Sequence, residues 1–435
     1  MNPISKAWIT YQLSRRFYRW GREQLTAHQR GRVAAILDYA RQHAPFYAER
    51  LDTGVELSDA PIVDKAIMMR HFDEINTAGL SRDPLIEFKI RQEHDGDIGL
   101  YRDQFSVGLS SGTSGNRGLT VLSHQERELY GCLIWARNGL PKRMGRVRLL
   151  FTLRTNNAAY MEASGLFGPT IVFADYTHSA EDLMEIINTK SLNVLAGPPS
   201  LLRMIGAQAR TLKHPLKAVV SYAEVLDDKT KTSLEAQFGA PIVQIYQCSE
   251  GFIASTCRCG SLHLNEDTIL VEGEAVDSTQ PNIQNVILTD LYRTTQPIIR
   301  YRLGDVLEFD PDPCPCGSCF RRIKVIHGRS DDIFHLEDPD GQTRYLFPDY
   351  VRRAINQASG QILEYQAVQY SPDEIEIRLC LEADADRPAI EQKVLENLRW
   401  RAQTIGAVLG ELRFSEKAPE PNPRSGKLIR VVRRF

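Results

Sequence analysis

Residues 110–118 read SSGTSGNRG, a segment that combines three glycines with four hydroxyl side chains. Such a loop can direct its backbone N–H groups and hydroxyls toward one point, which is how proteins bind the oxygens of a phosphate chain. Valine and leucine residues flank the segment in FSVGL at 105–109 and LTVL at 119–122. This pattern favours a strand, a tight loop and a second strand over a flexible Ser/Gly linker. The segment therefore predicts a site for a triphosphate.

Length and composition indicate a soluble protein of about two or three domains. The 435 residues are 42% hydrophobic and 25% charged, with a formal net charge of -2, which argues against a nucleic-acid or membrane-surface partner. The chain begins MNPISK without the apolar core of a secretory signal, and no stretch approaches the roughly 18 apolar residues of a spanning helix. The basic aromatic segment RRFYRW at 15–20 could touch lipid, but we expect a solvated helix face with its rings turned inward. We expect a cytoplasmic monomer or homodimer.

Short apolar strands alternate with helical segments between residues 147 and 246. The predicted strands lie at 147–152, 170–173, 194–197, 218–221 and 242–246, and the predicted helices at 180–189, 199–210 and 227–238. This alternation indicates an α/β fold with a largely parallel sheet that helices cover on both faces. Ligands of such sheets bind beyond the carboxyl ends of the strands.

The pattern changes after residue 268. Closely spaced strands at 268–272 and 286–289 predict an antiparallel subdomain. A charged stretch at 328–332 then precedes a new set of elements. Helices are predicted there at 348–358 and 387–402, and strands at 364–370 and 374–381. We therefore expect an N-terminal domain over 1–328, with a cysteine-containing subdomain at about 250–325, and a small α+β C-terminal domain over 329–435.

Four further segments follow the glycine-rich loop in a fixed order. They are YQCSEG at 246–251, IRYRLGD at 299–305, GRSDD at 328–332 and PRSGK at 423–427. Together with the loop and with SYAE at 221–224, they resemble the adenylate-forming superfamily of acyl-CoA synthetases, peptide-synthetase adenylation domains and luciferases. The resemblance is greatest to the phenylacetate-CoA ligase-like branch and covers nearly the whole chain. It implies a large domain that binds ATP and an acid, and a mobile C-terminal domain. It also implies two half-reactions, in which an acyl-AMP forms with loss of pyrophosphate and the acyl group then passes to a nucleophile.

The same resemblance implies roles for individual residues. Lys427 would stabilise the charge that builds on the α-phosphoryl and carboxylate oxygens, since phosphoryl transfer depends on positioning and electrostatics. Glu250 would hold Mg2+ against the α-phosphate, and Tyr246 would stack on adenine. Asp305 would accept hydrogen bonds from the ribose hydroxyls, and Arg329 would reach the ribose or a phosphate. The implied nucleotide-binding residues are Ser110, Ser111, Gly112, Thr113, Ser114, Gly115, Ala223, Glu224, Tyr246, Gln247, Ser249, Asp305 and Arg329.

Five of the eight cysteines fall in two clusters, CRC at 257–259 and CPCGSC at 314–319. In a reducing compartment such clusters indicate a metal site rather than disulfides. Two ligand-rich turns of this kind can supply the four ligands of a closed tetrahedral zinc site. The expected ligands of one structural zinc are Cys314 and Cys316 with two of Cys257, Cys259 and His263, and Cys319 is the expected spare. Free cysteines in buried turns are the alternative.

Three departures from the family pattern bear on the substrates. The glycine-rich loop carries Asn116 and Arg117 where much of the superfamily has a lysine. Gln247 follows the stacking tyrosine where the family usually has glycine, so its side chain would narrow or polarise the acyl pocket, and we expect a small, aryl or polar acid. Residues 333–344 lack the Arg-Gly or Lys-Gly pair that lets a pantetheine arm pass.

Several acceptors therefore stay open. Coenzyme A is the expected one, and an amine, a carrier protein, nitrite activation and transfer of AMP itself are the alternatives. A nucleotide-binding scaffold that has lost catalysis is the non-enzymatic alternative. The presence of both Glu250 and Lys427 argues against it, because a mere binder does not need residues that act on the α-phosphate.

Overall fold

The computed structural model describes residues 1–95, 97, 99–110, 117–137, 139, 146–152, 170–174, 178–276, 280–422 and 428–435. The helices formed by these residues are α1 (Pro3–Arg19), α2 (Arg22–His43), α3 (Pro45–Ala48), α4 (Lys65–Arg70), α5 (Phe72–Ile75), α6 (Arg82–Asp95), α7 (His124–Ala136), α8 (Ala180–Thr189), α9 (Pro199–Gly206), α10 (Asp228–Phe238), α11 (Pro348–Asn356) and α12 (Arg387–Thr404). Among these helices, none is both long enough and apolar enough to cross a bilayer.

The strands are most of the predicted ones together with several that the sequence pattern does not mark. They are β1 (Ser106–Leu109), β2 (Leu119–Leu122), β3 (Arg148–Thr152), β4 (Thr170–Ala174), β5 (Val194–Gly197), β6 (Ala218–Ser221), β7 (Ile242–Cys248), β8 (Gly251–Thr256), β9 (Leu262–Leu264), β10 (Ile269–Ala275), β11 (Ile283–Asp290), β12 (Tyr301–Asp310), β13 (Arg322–Arg329), β14 (Phe334–Glu337), β15 (Thr343–Leu346), β16 (Ile362–Ser371), β17 (Glu374–Leu381), β18 (Glu411–Ser415) and β19 (Val431–Arg433).

One mixed sheet of eleven described strands dominates the fold, in the order β10-β11-β12-β13-β9-β8-β7-β6-β5-β3-β4. The predicted α/β class, with a parallel sheet and an antiparallel subdomain, is therefore confirmed. The two parts are not separate, however, because they share β7. This strand pairs parallel with β6 on one side and antiparallel with β8 on the other. A tight turn at 249–250 joins β7 to β8, so the chain reverses direction and the hydrogen-bond ladder continues into the antiparallel half.

The parallel half is built from strands that are buried on both faces. All four residues of β5 and of β6 are buried, as expected for strands with helices on both sides. Helix α10, one of the helices that cover these strands, has a cap at each end. Asp227 accepts a hydrogen bond from the Thr230 amide at the start of α10, and Gly239 ends that helix with φ 60°. This packing brings the carboxyl ends of β5, β6 and β7 to one edge of the sheet.

The C-terminal part of the chain forms a smaller α+β unit. Its four strands are ordered β18-β17-β16-β19, and α11 and α12 pack on them. The core of this unit includes Phe334, Val351, Ile377 and Val394, each of them fully buried. The last strand, β19, pairs parallel with β16 in the middle of the unit. The last strand of the chain is therefore part of this sheet.

At the other terminus, α1 and α2 pack against the body of the protein. Phe17 is buried, while Arg15 and Arg19 are exposed, so the inward-facing arrangement expected for 15–20 is found for its first aromatic ring. Cys132 is buried as a small apolar side chain would be, but Cys380 is exposed. Its position at the end of β17 explains this difference, because the strand leaves the core there.

Candidate functional site

A cavity of about 1220 Å³ opens at the carboxyl end of β7, between the large sheet and the C-terminal unit. All eight described members of the nucleotide-binding set, together with Glu250, line this cavity. They are Ser110, Ala223, Glu224, Tyr246, Gln247, Ser249, Asp305 and Arg329 from that set, with Glu250 beside them. Residues 111–115 and Lys427 lie outside the described residues. The neighbours of the Lys427 segment, Asn422 and Leu428, do line the cavity.

The segment after β6 bends toward this cavity. Ala223 has φ 66°, a left-handed conformation that is uncommon for a residue with a side chain. The carboxylate of Glu224 accepts hydrogen bonds from the Ser200 amide (3.1 Å) and the Ser200 hydroxyl (2.8 Å). These contacts place Glu224 at the N-terminus of α9, where the helix dipole favours a negative charge. The segment is thereby fixed at the edge of the cavity.

Asp305 is the centre of a buried polar group on the opposite wall. The Tyr246 hydroxyl donates a hydrogen bond to Asp305 Oδ2, and Arg329 Nε lies 3.0 Å from Asp305 Oδ1. Burial raises the pKa of Asp305, and the charge of the Arg329 guanidinium opposes that rise. Arg329 also donates to the Leu303 carbonyl at 2.6 Å. Three residues that are far apart in the sequence therefore converge here, and each carboxylate oxygen of Asp305 contacts one of the other two side chains.

Glu250 lies in the turn between β7 and β8, and a tyrosine and a lysine are its neighbours. Tyr301 forms a hydrogen bond with Glu250, and burial followed by the charge of Glu250 raises the pKa of Tyr301. Burial lowers the pKa of Lys65, and Glu250 counteracts this effect. Lys65 Cε lies 3.4 Å from the position that a Cβ on Gly118 would occupy, so the lysine lies against the end of the glycine-rich loop. Sequence reasoning missed Lys65, because no motif surrounds it.

The described ends of the glycine-rich loop are closed by hydrogen bonds. The Ser110 amide donates to the Gly118 carbonyl at 2.8 Å, and the Gly118 amide donates to Ser110 Oγ at 2.7 Å. The guanidinium of Arg117 pairs with both carboxylate oxygens of Glu93, at 2.9 and 2.5 Å. Arg117 thus supports the loop through its ion pair with Glu93, whereas Lys65 is a cation that lies next to Glu250.

A second group that the sequence does not mark connects this loop to the β7–β8 turn. Arg293 is buried and donates to the Ser249 carbonyl at 2.9 Å and to Gln296 Oε1 at 2.8 Å. Gln296 in turn donates to the Leu119 carbonyl and accepts from the Val121 amide, each at 3.0 Å. These bonds fix β2 relative to the turn that carries Glu250. The patterns that identified the five motifs contain no signal for such a bridge, because its members pair only in the folded chain.

The C-terminal unit faces the cavity through its last strand and the segment that precedes it. One amide nitrogen, Gln366 Nε2, donates to the carbonyls of Glu420 (3.1 Å) and Ile429 (3.0 Å). Glu364, on the same strand, pairs with Arg430 at 2.8 Å and with Arg203 of α9 at 2.9 Å. The residues on either side of 423–427 are therefore attached to β16, and β16 is attached to the large sheet.

The side of the cavity nearest α7 is mainly apolar. Leu129 and Leu133 of α7 line it together with Phe252 of β8. Polar side chains also line this side, among them Glu126 of α7 and Gln247, whose Oε1 accepts a hydrogen bond from the Tyr130 hydroxyl at 2.6 Å. The lining of this part of the cavity is therefore mainly apolar, and the Gln247 amide is among its polar groups.

The two cysteine clusters meet in the folded protein. The ligand atoms of Cys257, His263, Cys314 and Cys316 all lie within 4.8 Å of one another, and all four residues are buried. Cys257 Sγ lies 3.8 Å from Cys314 Sγ, and Cys316 Sγ lies 3.6 Å from His263 Nε2. A tetrahedral zinc with bonds of about 2.3 Å requires ligand separations of about 3.8 Å, so the donor set fits this ion. Cys259 is exposed and Cys319 is half-buried, and both lie outside the set.

Neighbouring groups orient these four side chains. His263 Nδ1 lies 2.8 Å from the Phe320 carbonyl, a contact that leaves Nε2 directed at the sulfurs. The amides of Cys259 and Ser318 donate to the sulfurs of Cys257 and Cys316, each at 3.4 Å. Such N–H donors favour the thiolate form that a metal requires. Residues of α1 and α2, including Phe17, pack over the cluster.

The chain has recognisable relatives, although no protein-family model matches it. It is 30% identical over 190 residues to protein CapK of Staphylococcus aureus, a match that covers 43% of this chain and 40% of that protein. It is 21% identical over 461 residues to the phenylacetate-coenzyme A ligase of Thermus thermophilus, covering 94% and 97%. It is 29% identical over 215 residues to the indoleacetate–lysine synthetase of Pseudomonas savastanoi, covering 46% and 52%. The matches thus span about half or less of the first and third relatives.

Among solved structures, a 2-hydroxyisobutyryl-CoA ligase in its postadenylation state, in complex with an acyl-AMP, has a similar fold. The TM-score is 0.71 and the sequence identity 20%, over 96% of this chain and 91% of that one. At this identity the likeness concerns the fold, and it extends over both the large sheet and the C-terminal unit.

Proposed function

We propose that this chain, which is similar along almost its whole length to the phenylacetate-coenzyme A ligase of Thermus thermophilus, is an adenylate-forming ligase that activates a carboxylic acid with ATP and then transfers the acyl group to coenzyme A. In the first step a carboxylate oxygen attacks the α-phosphorus, and the bond to pyrophosphate breaks. In the second step the thiol sulfur attacks the acyl carbon, and AMP leaves. Residues 1–328 would bind ATP and the acid, and residues 329–435 would move between the two steps.

The observation that carries this proposal is the convergence of separate motifs on one cavity. Tyr246, Asp305 and Arg329 meet there through direct contacts. In the proposed complex the ring of Tyr246 stacks on adenine, and Asp305 accepts hydrogen bonds from the ribose hydroxyls. Arg329 then exchanges part of its contact with Asp305 for the ribose or a phosphate. A buried carboxylate suits this role, because hydrogen bonds to a charged acceptor are stronger than neutral ones.

The phosphates would extend toward Ser110 and the loop that follows it. Glu250 is the proposed Mg2+ ligand, and the bound ion would neutralise charge on the phosphate oxygens. Lys65 lies beside Glu250 and Gly118, where its ammonium can pair with a phosphate oxygen. Lys427 is the proposed catalytic cation of the first step. Its neighbours Asn422 and Leu428 border the same cavity, which supports this assignment.

Exchange of labelled pyrophosphate into ATP tests the first step directly. A panel of aryl, indolyl, pyridyl and short aliphatic acids is compared with a reaction that contains no acid, and we expect acid-dependent exchange. Lys427→Ala should lower the exchange rate at least about a hundredfold, because its charge acts in the transition state, while ATP binding survives. Lys417→Ala is the matched control, since Lys417 is an exposed lysine of the same unit. Absence of exchange with every acid, or equal rates for the two variants, would contradict the proposal.

An amine is the second candidate acceptor. The relative named indoleacetate–lysine synthetase points to it, and so does β14, which pairs with β15 from Phe334 to Glu337 and contains no glycine. Two reactions separate the candidates once an acid has been found. If coenzyme A is the acceptor, AMP release should accelerate with coenzyme A and the acyl thioester should accumulate. Acceleration by lysine or another amine, with amide as the product, would favour the second candidate instead.

The cysteine–histidine cluster is proposed to hold one zinc ion in a structural role. Cys257, His263, Cys314 and Cys316 supply four ligands, which leaves no open position for a substrate. The ion would attach the β8–β9 hairpin to the turn that begins at residue 314. Metal analysis of the purified protein should find about one zinc per chain, and less than about half an equivalent would count against the site.

A further inference from the structure

Gln247 lies where β7 changes its pairing. The register between β7 and β8 shifts between Tyr246 and Gln247, which marks a bulge. Bulges redirect side chains at the ends of strands. Here the hydroxyl of Tyr246 reaches Asp305, while the amide of Gln247 reaches Tyr130 on α7. The two consecutive side chains therefore serve two different parts of the cavity.

The contact with Tyr130 uses only one end of the Gln247 amide. The Tyr130 hydroxyl donates to Oε1 at 2.6 Å, so the carbonyl end of the amide is satisfied. Tyr130 itself is placed by α7 and by an edge-on contact with Phe252, whose ring centroid lies 6.2 Å away. This arrangement fixes the rotation of the amide. Its nitrogen, which carries two donor hydrogens, is directed away from Tyr130.

The nitrogen end is available to a ligand. Gln247 is half-buried and lines the cavity. The hydrogen bonds found among the described residues include none from Gln247 Nε2. This nitrogen is also absent from the buried polar atoms that lack a partner, so it is reached from the cavity rather than sealed in the protein. The apolar residues Leu129, Leu133 and Phe252 line the same cavity.

The Gln247 amide nitrogen is an oriented donor in a cavity that also has apolar lining residues, and such a donor favours ligands with a matching hydrogen-bond acceptor. We propose that the acid activated by this enzyme carries a hydrogen-bond acceptor in its acyl part, that Gln247 Nε2 binds this acceptor, and that Tyr130 positions the amide. This inference rests on the proposed adenylation and adds the substrate class to it. An acid without an acceptor would strip water from the amide without replacing its hydrogen bond, and such sites discriminate strongly against analogues that lack the matching group.

Near-isosteric pairs of acids test the inference. Phenylacetate is compared with 2-, 3- and 4-pyridylacetate, which replace one ring CH with an acceptor nitrogen, and pentanoate is compared with 4-oxopentanoate. The measured quantity is the ratio of kcat/KM values within each pair, from pyrophosphate exchange. We expect at least one acceptor-bearing acid to exceed its partner by about tenfold or more. In Gln247→Leu the ratio should fall to about one, because the donor that distinguishes the two acids of a pair is removed.

Tyr130→Phe separates positioning from general damage. The variant keeps the ring against Phe252 but frees the amide, so the ratio should fall while kcat/KM for phenylacetate changes by less than about threefold. A purely structural role would lower both acids of a pair equally. A ratio near one in the wild type, or a ratio that Gln247→Leu leaves unchanged, would overturn the inference even though exchange is observed. Absence of exchange with all acids would instead refute the adenylation on which it rests.

Discussion

Replacing one sulfur of the cysteine–histidine cluster should abolish the proposed binding of zinc. Cys316 is fully buried, and its Sγ lies 3.6 Å from His263 Nε2. Zinc present at about a thousand times its dissociation constant contributes about 4 kcal/mol to the free energy of unfolding. For cooperative unfolding of all 435 residues, the entropy at the transition is about 0.9 kcal/mol/K, from about 2.1 cal/mol/K per residue. We therefore expect Cys316→Ser to lower Tm by about 4 to 5 °C, because that stabilisation is lost.

Zinc content after dialysis against a chelator and Tm by calorimetry are the two measurements. Cys259→Ser is the matched control, since Cys259 is two residues from Cys257 but is exposed and outside the cluster. This control should keep its zinc and its Tm. X-ray absorption of the wild type should give three sulfurs at about 2.3 Å and one nitrogen at about 2.0 Å. Equal zinc loss in both variants, or a first shell of four sulfurs, would refute the assignment of ligands.

Three further predictions concern the cavity and the antiparallel half of the sheet. Asp305→Asn should weaken binding of a non-hydrolysable ATP analogue about 10- to 100-fold, because it removes the charged acceptor. Tyr246→Phe keeps the ring and should weaken binding of the analogue less than Asp305→Asn does. Calorimetric titration measures both affinities, and a larger loss in Tyr246→Phe would contradict these roles. Lys65→Met should raise the KM for ATP about tenfold while Lys65→Arg stays near wild type, because the proposed contact is with a phosphate charge; equal effects in the exchange assay would contradict this role. A hydrogen bond from His327 lowers the pKa of Glu308 to about 2. Its stabilising contribution is therefore present above the ordinary carboxyl pKa and is lost as pH falls toward 2, so Glu308→Gln should flatten the acid limb of a stability–pH curve between pH 5 and 2, and parallel curves would refute it.

Local patterns predicted the elements whose neighbours in space are also neighbours in sequence. The strands at 194–197 and 218–221 and the helix at 180–189 have the predicted bounds, because buried apolar runs and capped amphipathic helices carry their own signal. The union of both sheet halves through β7 was not predictable in this way. It depends on a turn whose two residues, Ser249 and Glu250, resemble those of many loops.

The sequence also predicted some residues of the candidate site and missed others. Motifs with fixed spacing located Tyr246, Glu250 and Asp305, all of which line one cavity. Lys65 and Arg293 were missed because their importance comes from position alone. The first lies against the loop that ends at Gly118, and the second bridges strands far apart in the sequence. Single residues of this type have no periodicity or spacing that would distinguish them from other surface or core cations.

The two hydrogen bonds from Gln366 Nε2 have a consequence for the segment of the sequence that contains the proposed catalytic lysine. The carbonyls of Glu420 and Ile429 both accept a hydrogen bond from this nitrogen, so the connection between them begins and ends at the same point of β16. Each residue inserted between them would lengthen this connection by at most about 3.5 Å, and that length is divided between the outgoing and the returning half of the segment. The number of residues between Glu420 and Ile429 therefore limits how far the ammonium of the proposed catalytic Lys427 can reach from β16. We expect substitutions of the residues around Lys427 to affect the proposed adenylation step less than insertions or deletions in the same segment.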